Sequence, residues 1–158
     1  MLTIKSRGQN LANLAAARDT GTNKDAFCTL PLFHMFGLST VMTALYRVTT
    51  ISLVDTSVPI TGPSLVQAIH IVKPGTIYVV PYALKLIAEA PGGLEALKKL
   101  SSVVYGGSSC PQELGDFLVS NNVRLVSYFG STEVGVPMST ERDMNTDKDW
   151  DYMRILPA

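Results

Sequence analysis

The chain carries little charge and no excess of either sign. Asp, Glu, Lys and Arg make up 16% of its 158 residues, with 13 acidic and 13 basic side chains and a formal net charge of zero. That share is well below the roughly one quarter usual for globular proteins. The balance steers the chain toward neither nucleic acid nor an anionic membrane. A low charge share fits a surface made to meet another domain or subunit, and fits a core-rich α/β domain equally well. There are only two cysteines, Cys28 and Cys110, far apart and outside any CxxC pair. Their spacing excludes a zinc or disulfide framework and points to a reducing compartment, by default the cytoplasm. Residues 1–10 are polar and mixed and lack the apolar run of a signal peptide. No apolar stretch approaches the roughly 20 residues of a membrane span. The motifs GxxxxGK[ST], GxGxxG and HExxH are all missing. The two histidines, His34 and His70, form no metal cluster with the cysteines.

Apolar residues are plentiful at 46%, enough for the core of one compact domain or a slice of a larger one. They fall into a strand-helix rhythm. Asn10 can cap a helix over 11–18, with Leu11, Leu14 and Ala15 on one face. Residues 26–32 predict a buried strand, 37–46 a helix and 49–54 a second strand. Pro63 opens a helix whose buried stripe is Leu65, Ile69 and Val72. Pro74-Gly75 turns the chain into a strand over 76–80. Pro81 begins another helix, with Leu84, Ile87 and Ala88 inward, and 94–100 adds further helical turns. A strand over 102–105 leads to Gly106-Gly107. Pro111 opens a helix with Leu114, Phe117 and Leu118 inward, ended by Asn121-Asn122. Residues 123–128 form the last clear strand. Residues 136–158 read as irregular. Glu141, Asp143, Asp147, Asp149 and Asp151, against Arg142 and Lys148, read as a solvated loop. The fold class is therefore α/β, a layered parallel sheet with flanking helices and right-handed crossovers.

Ligands in such sheets bind beyond the carboxyl ends of the strands. That rule selects residues 33–37, 81–82, 106–110 and 129–135, where the chain's most unusual local chemistry lies. Phe129 offers an aromatic face for a base. Gly130 permits close backbone approach, and Ser131 and Thr132 offer hydroxyls to phosphate. Glu133 beside phosphate requires a cation between them, which suggests Mg²⁺. The same residues could instead open a helix, with Ser131 or Thr132 as cap. Gly106, Gly107 and Ser108 allow close approach to a flat ligand, or make an ordinary strand-to-helix turn capped by Ser109 or Cys110. A nucleophile elbow on Ser108 fails at Cys110, where its last glycine belongs. Both histidines also precede Ser108, against the usual hydrolase order. His34, among Phe33, Met35 and Phe36, suits either one polar contact in an apolar pocket or a hydrogen-bonded core position. His70 reads as a helix-surface residue.

The runs PLFHMFG, YGGSSCPQELGDFL and SYFGSTEVG, in this order and at these separations, closely resemble the adenylate-forming (AMP-dependent synthetase/ligase) superfamily. The phrases LGDFLVSNNVRLVSYFGSTEVG and DKDWDYMRI look most like the adenylation domains of fungal nonribosomal-peptide-synthetase-like carboxylate reductases. The resemblance covers most of the chain. It implies that His34 borders the acyl tunnel and that Gly106, Gly107 and Ser108 line the acyl site. It places Phe129 against adenine, with Gly130 and Ser131 beside the nucleotide, Thr132 on phosphate and Glu133 on Mg²⁺. Thr132 and Glu133 would then serve the chemistry. The implied reaction joins a small carboxylic acid to ATP, giving acyl-AMP and pyrophosphate, before transfer to CoA or a phosphopantetheine thiol. The implied partners are the rest of an adenylation domain and a carrier domain, with no nucleic acid and no membrane. The family's lysine-bearing phosphate loop has no counterpart before Phe27. Its ribose-binding aspartate and C-terminal catalytic lysine would lie past Ala158. The expectation is thus a partial AMP-binding domain over residues 1–158, weak or inactive alone. The alternatives are a non-catalytic nucleotide- or acyl-binding module and, less favoured, an α/β hydrolase.

Overall fold

A computed structural model of the chain describes residues 25–156. The helix expected over 11–18 lies outside the described residues. In chain order the elements are β1 (Ala26–Cys28), α1 (Met35–Arg47), β2 (Ile51–Leu53), α2 (Gly62–Val72), β3 (Thr76–Val79), α3 (Pro81–Glu89), α4 (Gly93–Lys98), β4 (Ser102–Gly106), α5 (Gln112–Ser120), β5 (Leu125–Ser131), β6 (Gly135–Ser139) and β7 (Arg154–Ile155). The strands form one seven-stranded sheet in the order β2-β1-β3-β4-β5-β6-β7.

Alternation along the strands divides the core into two layers. Phe27, Ile77, Val79, Val103, Tyr105 and Leu125 point to one face, which α2, α3, α4 and α5 cover with Leu65, Ile69, Leu84, Ile87, Leu97 and Leu118. Ala26, Cys28, Tyr78, Val104, Val126 and Tyr128 point to the other, against Phe36 of α1. Each fully buried Leu, Ile or Val contributes about 1.5–3 kcal/mol by leaving water.

The parallel sheet expected from the sequence holds only from β2 to β5. Strands β6 and β7 are antiparallel additions. Residues 136–158 are therefore not irregular throughout. A strand continues to Ser139, turns follow, and a short strand returns at Arg154. The segment between them carries little hydrophobic periodicity, because it is held by single anchors. Arg142 donates to the carbonyls of Leu125, Thr140 and Asp147 at 3.0–3.1 Å, and Arg154 pairs with Asp147. Trp150 is 4% exposed in the core and donates from Nε1 to Asp116 Oδ1 at 2.7 Å. Its ring occupies the space a side chain at Gly115 would fill.

Phe117 is a second correction. Expected inward, it is 46% exposed. Helix α5 instead turns Gly115 and Leu118 inward, because the ring of Trp150 packs at Gly115. Strand β1 is also shorter than expected. After Cys28, the Thr29 backbone N–H and hydroxyl both donate to the Tyr78 carbonyl at 3.0 Å, and the chain leaves the sheet.

Helix α1 is inverted in character. Gly37, Thr40, Thr43 and Ala44 are its buried residues, whereas Leu38, Met42, Leu45 and Tyr46 are exposed. The buried threonines satisfy their hydroxyl protons within the helix. Thr40 donates to the Phe36 carbonyl at 2.8 Å and Thr43 to the Ser39 carbonyl at 2.7 Å.

Candidate functional site

A cavity of about 400 Å³ opens at the carboxyl ends of β1, β3, β4 and β5, on the α1 side of the sheet. Of the residues selected from sequence, it gathers His34, Gly107, Ser108, Gly130, Ser131 and Thr132. His34 stands immediately before α1 in extended backbone, its carbonyl accepting from Leu38 N–H at 3.0 Å. The imidazole packs on Phe33, ring centroids 4.7 Å apart. The chain crosses the end of β4 with Gly107 at φ +87°, a conformation that side chains disfavour. Pro111 then stands at the helix N-cap rather than at the first helical position, and neither Ser109 nor Cys110 caps α5.

The 129–133 segment does not open a helix. It is the end of β5 and the tip of a hairpin with β6, in which Ser131 pairs with Gly135. The close approach requires glycine, because a Cβ at Gly130 would lie far inside contact distance of the Gly135 carbonyl. Glu133 sits exposed in the tip, and Ser131 Oγ donates to its Oε2 at 2.7 Å. That hydrogen bond holds the Glu133 carboxyl below its ordinary range.

Gly106, Phe129 and Glu133 do not line the cavity itself. Gly106 is buried behind it, where a Cβ would lie 3.0 Å from Phe36 Cε1 and 2.9 Å from the Tyr128 carbonyl. Phe129 is 58% exposed and, as Tyr128 faces α1, points to the opposite side of β5. Met35 and Phe36, from the selected segment 33–37, also line the cavity, and so do Leu30, Ser39, Val80, Tyr128 and Val136, which lie outside the segments chosen from the sequence. Val80 and Tyr128 each lie one residue before a segment chosen by the strand-end rule. The shift of one matters because alternate strand residues face alternate sides.

Ser108 and His34 share the cavity, but no hydrogen bond joins them among the described residues, which removes support for a hydrolase elbow. Burial raises the Cys110 thiol above its ordinary pKa, so it is no thiolate nucleophile at neutral pH. Among the described residues no three His, Cys, Asp or Glu side chains cluster as a metal cage. A single accessible carboxylate beside hydroxyls does fit Mg²⁺, which takes one or two carboxylates and otherwise waters and substrate phosphates. Among the described residues no helix is long and apolar enough to cross a membrane.

The family model for AMP-binding enzymes matches residues 1–155. The chain is 30% identical over 128 residues to an adenylate-forming reductase of Aspergillus terreus, covering 80% of this chain and 12% of that protein. It is 40% identical over 80 residues to the adenylate-forming reductase Nps10 of Heterobasidion annosum, covering 50% of this chain and 7% of that protein. It thus spans only a small part of the curated relatives it matches. The inhibitor-bound N-terminal domain of FACL13 from Mycobacterium tuberculosis superposes with a TM-score of 0.75 at 20% identity, over 88% of this chain and 35% of that one. The o-succinylbenzoate CoA synthetase of Bacillus subtilis, in complex with its acyl-adenylate intermediate, gives 0.72 at 18% identity, over 87% and 28%. At such identities these structures speak to the fold alone.

Proposed function

Because this chain belongs to the AMP-binding enzyme family, we propose that it supplies the acyl pocket and one wall of the nucleotide site of a carboxylate-activating enzyme. One observation carries the reading: residues from separate strand ends converge on a single cavity large enough for a small acid. The acid occupies the cavity between His34, Ser108 and Tyr128. Its carboxylate lies toward Gly130 and Thr132 at the hairpin tip. The nucleotide base stacks on the exposed ring of Phe129.

In the first step a carboxylate oxygen attacks the α-phosphorus of ATP. A new O–P bond forms, the bond from that phosphorus to the bridging oxygen breaks, and pyrophosphate leaves. Thr132 donates to a phosphate oxygen, and the bare backbone of Gly130 lets the reacting groups approach. Glu133, with Ser131 orienting it, would hold Mg²⁺, which supplies charge neutralisation to the phosphates when bound. In the second step a thiol sulfur, from CoA or a carrier domain's phosphopantetheine, attacks the acyl carbon and AMP departs. A further relative, a non-canonical non-ribosomal peptide synthetase of Acremonium egyptiacum, favours a carrier-bound acceptor. The rest of an adenylation domain is the partner that completes the site, and the setting is cytoplasmic.

Calorimetry with AMP, Mg²⁺ and a panel of aryl and keto acids tests this reading. Binding of nucleotide and acid is expected, with Glu133→Gln weakening only the Mg²⁺-dependent part. A folded chain that binds neither refutes it. ATP–pyrophosphate exchange by the 158-residue chain is expected to be weak, since the family's lysines are not among its motifs. Robust exchange would show that those lysines are dispensable.

A further inference from the structure

The cavity has a mouth and an inner wall of different chemistry. Phe36, Ser39, Tyr128 and Val136 line both the cavity and a small void behind it, under α1, so they form its inner wall. Tyr128 precedes Gly130 by two residues along β5. The wall therefore lies about 7 Å deeper along the strand than the hairpin tip. Phe36 is held there from several sides. Its ring stands edge-on to Tyr78 at 6.3 Å between centroids and tilted to Tyr128 at 6.4 Å, and it lies against the bare backbone of Gly106. Its carbonyl accepts from Ser39 Oγ at 3.0 Å and from Thr40 Oγ1 at 2.8 Å, which ties down the first turn of α1.

The inner wall carries no charge. Among the described residues that line the cavity, none is Lys, Arg, Asp or Glu. His34, the one imidazole, belongs to the mouth. It is exposed, it packs on Phe33, itself 86% exposed, and it is not part of the inner wall. The inner wall presents two aromatic rings, a valine and two neutral hydroxyls, and the Ser39 hydroxyl already donates to the Phe36 carbonyl. Such a surface favours an apolar group that leaves water to reach it. An ionised group pressed against it would lose its hydration with no opposite charge to meet it.

We propose, on the acyl-pocket reading above, that this wall selects monocarboxylic acids with an uncharged, apolar far end, such as a monocyclic aryl acid, and rejects dicarboxylic acids. The reacting carboxylate lies at the hairpin tip, and the far end packs on Phe36, Tyr128 and Val136. A second carboxylate at that end finds no cation. The discrimination should reach roughly a hundredfold or more.

The test is calorimetric titration of the chain at pH 7.5 with phenylacetate and with 4-carboxyphenylacetate, whose second carboxylate is ionised there. Preference for phenylacetate is expected. Val136→Lys, which brings an ammonium to the inner wall, should shrink that preference by roughly tenfold or more. Should this variant fail to fold, the comparison in the unaltered chain still decides. Equal binding of the two acids there, or tighter binding of the diacid, overturns the proposal and leaves the acyl pocket standing. Binding of neither acid overturns both. A preference that persists unchanged in folded Val136→Lys also overturns it, since the far end would then lie elsewhere. A merely structural role of Val136 would weaken both acids alike and leave their ratio unmoved.

Discussion

Gly115→Ala should destabilise the chain, although alanine is the better helix former, and the reason is one aromatic ring. Gly115 lies in the middle of α5, where replacing glycine by alanine ordinarily gains about 1 kcal/mol. Here the new Cβ would fall inside the ring of Trp150, on its Cζ2 and Cη2 atoms. An indole cannot bend aside, so it must leave its place. It is buried, packs 6.5 Å from the ring of Tyr105 and donates to Asp116. Losing a buried Trp by truncation costs about 3–5 kcal/mol. Partial displacement should forfeit about 3 kcal/mol of this, leaving a net loss of about 2 kcal/mol after the helix gain. With the ring removed, the sign should reverse. In a Trp150→Ala background, Gly115→Ala should stabilise by about 0.5–1 kcal/mol. The double-mutant cycle therefore predicts a coupling of about 3 kcal/mol. Urea unfolding of the four chains, with m values compared to check two-state behaviour, measures it. A Gly115→Ala effect of the same sign and size in both backgrounds would refute the packing argument.

Ser131→Ala removes the donor to Glu133 Oε2, so the Glu133 pKa should rise toward the ordinary carboxylate value. An NMR titration of the side-chain carboxyl reads this directly, and an unchanged midpoint counts against the hairpin-tip geometry. Burial raises the Cys28 thiol above its ordinary pKa, only partly offset by its hydrogen bond to the Leu30 carbonyl. The unfolded chain therefore loses that proton first, and stability should fall as pH climbs past about 8.5. Cys28→Val should flatten that fall in unfolding curves taken at successive pH values. On α1, Leu45→Glu should change stability by less than about 0.5 kcal/mol, because Leu45 is exposed. Thr43→Leu should cost about 1–3 kcal/mol by overfilling the buried side. Thermal melts of these two variants would expose a misplaced helix face if the order were reversed.

The parallel half of the sheet was legible because its strands are short and largely apolar, β3 and β4 are rich in β-branched residues, and each helix from α2 onward follows a proline or glycine turn. Tyr78, Val79, Val103, Val104, Leu125 and Val126 fill both faces, as strands covered on each side must. The cavity's position followed from strand ends alone, without a named family. What escaped was chemistry carried by single residues. Trp150 sits in an acidic stretch that reads as solvated, yet it anchors that stretch to α5 through Gly115. The signal was present in the pairing of a mid-helix glycine with an isolated tryptophan, but nothing in a linear sequence joins positions so far apart. The side chains that close the pocket, Val80 and Tyr128, were missed by one position. The strand-end rule locates a region, and only the pleat decides which neighbour turns inward.

The hairpin explains why the motif proposed for the nucleotide side lies where it does. Strand β5 is the last parallel strand, hydrogen-bonded on one side to β4 and on the other to antiparallel β6. A crossover helix after β5 would carry the chain away from the strand end. The tight return instead keeps Ser131, Thr132 and Glu133 at the mouth of the cavity, with two backbones closing over Gly130. A helix N-terminus at this place would offer N–H groups and favour anions directly. A hairpin tip offers hydroxyls and one carboxylate, which suits phosphate only with a cation between. The change from helix to hairpin therefore strengthens the case for Glu133 as a Mg²⁺ ligand. On that proposal Gly130 is as necessary as the glutamate, because any side chain there would force the strands apart before Glu133 could be placed.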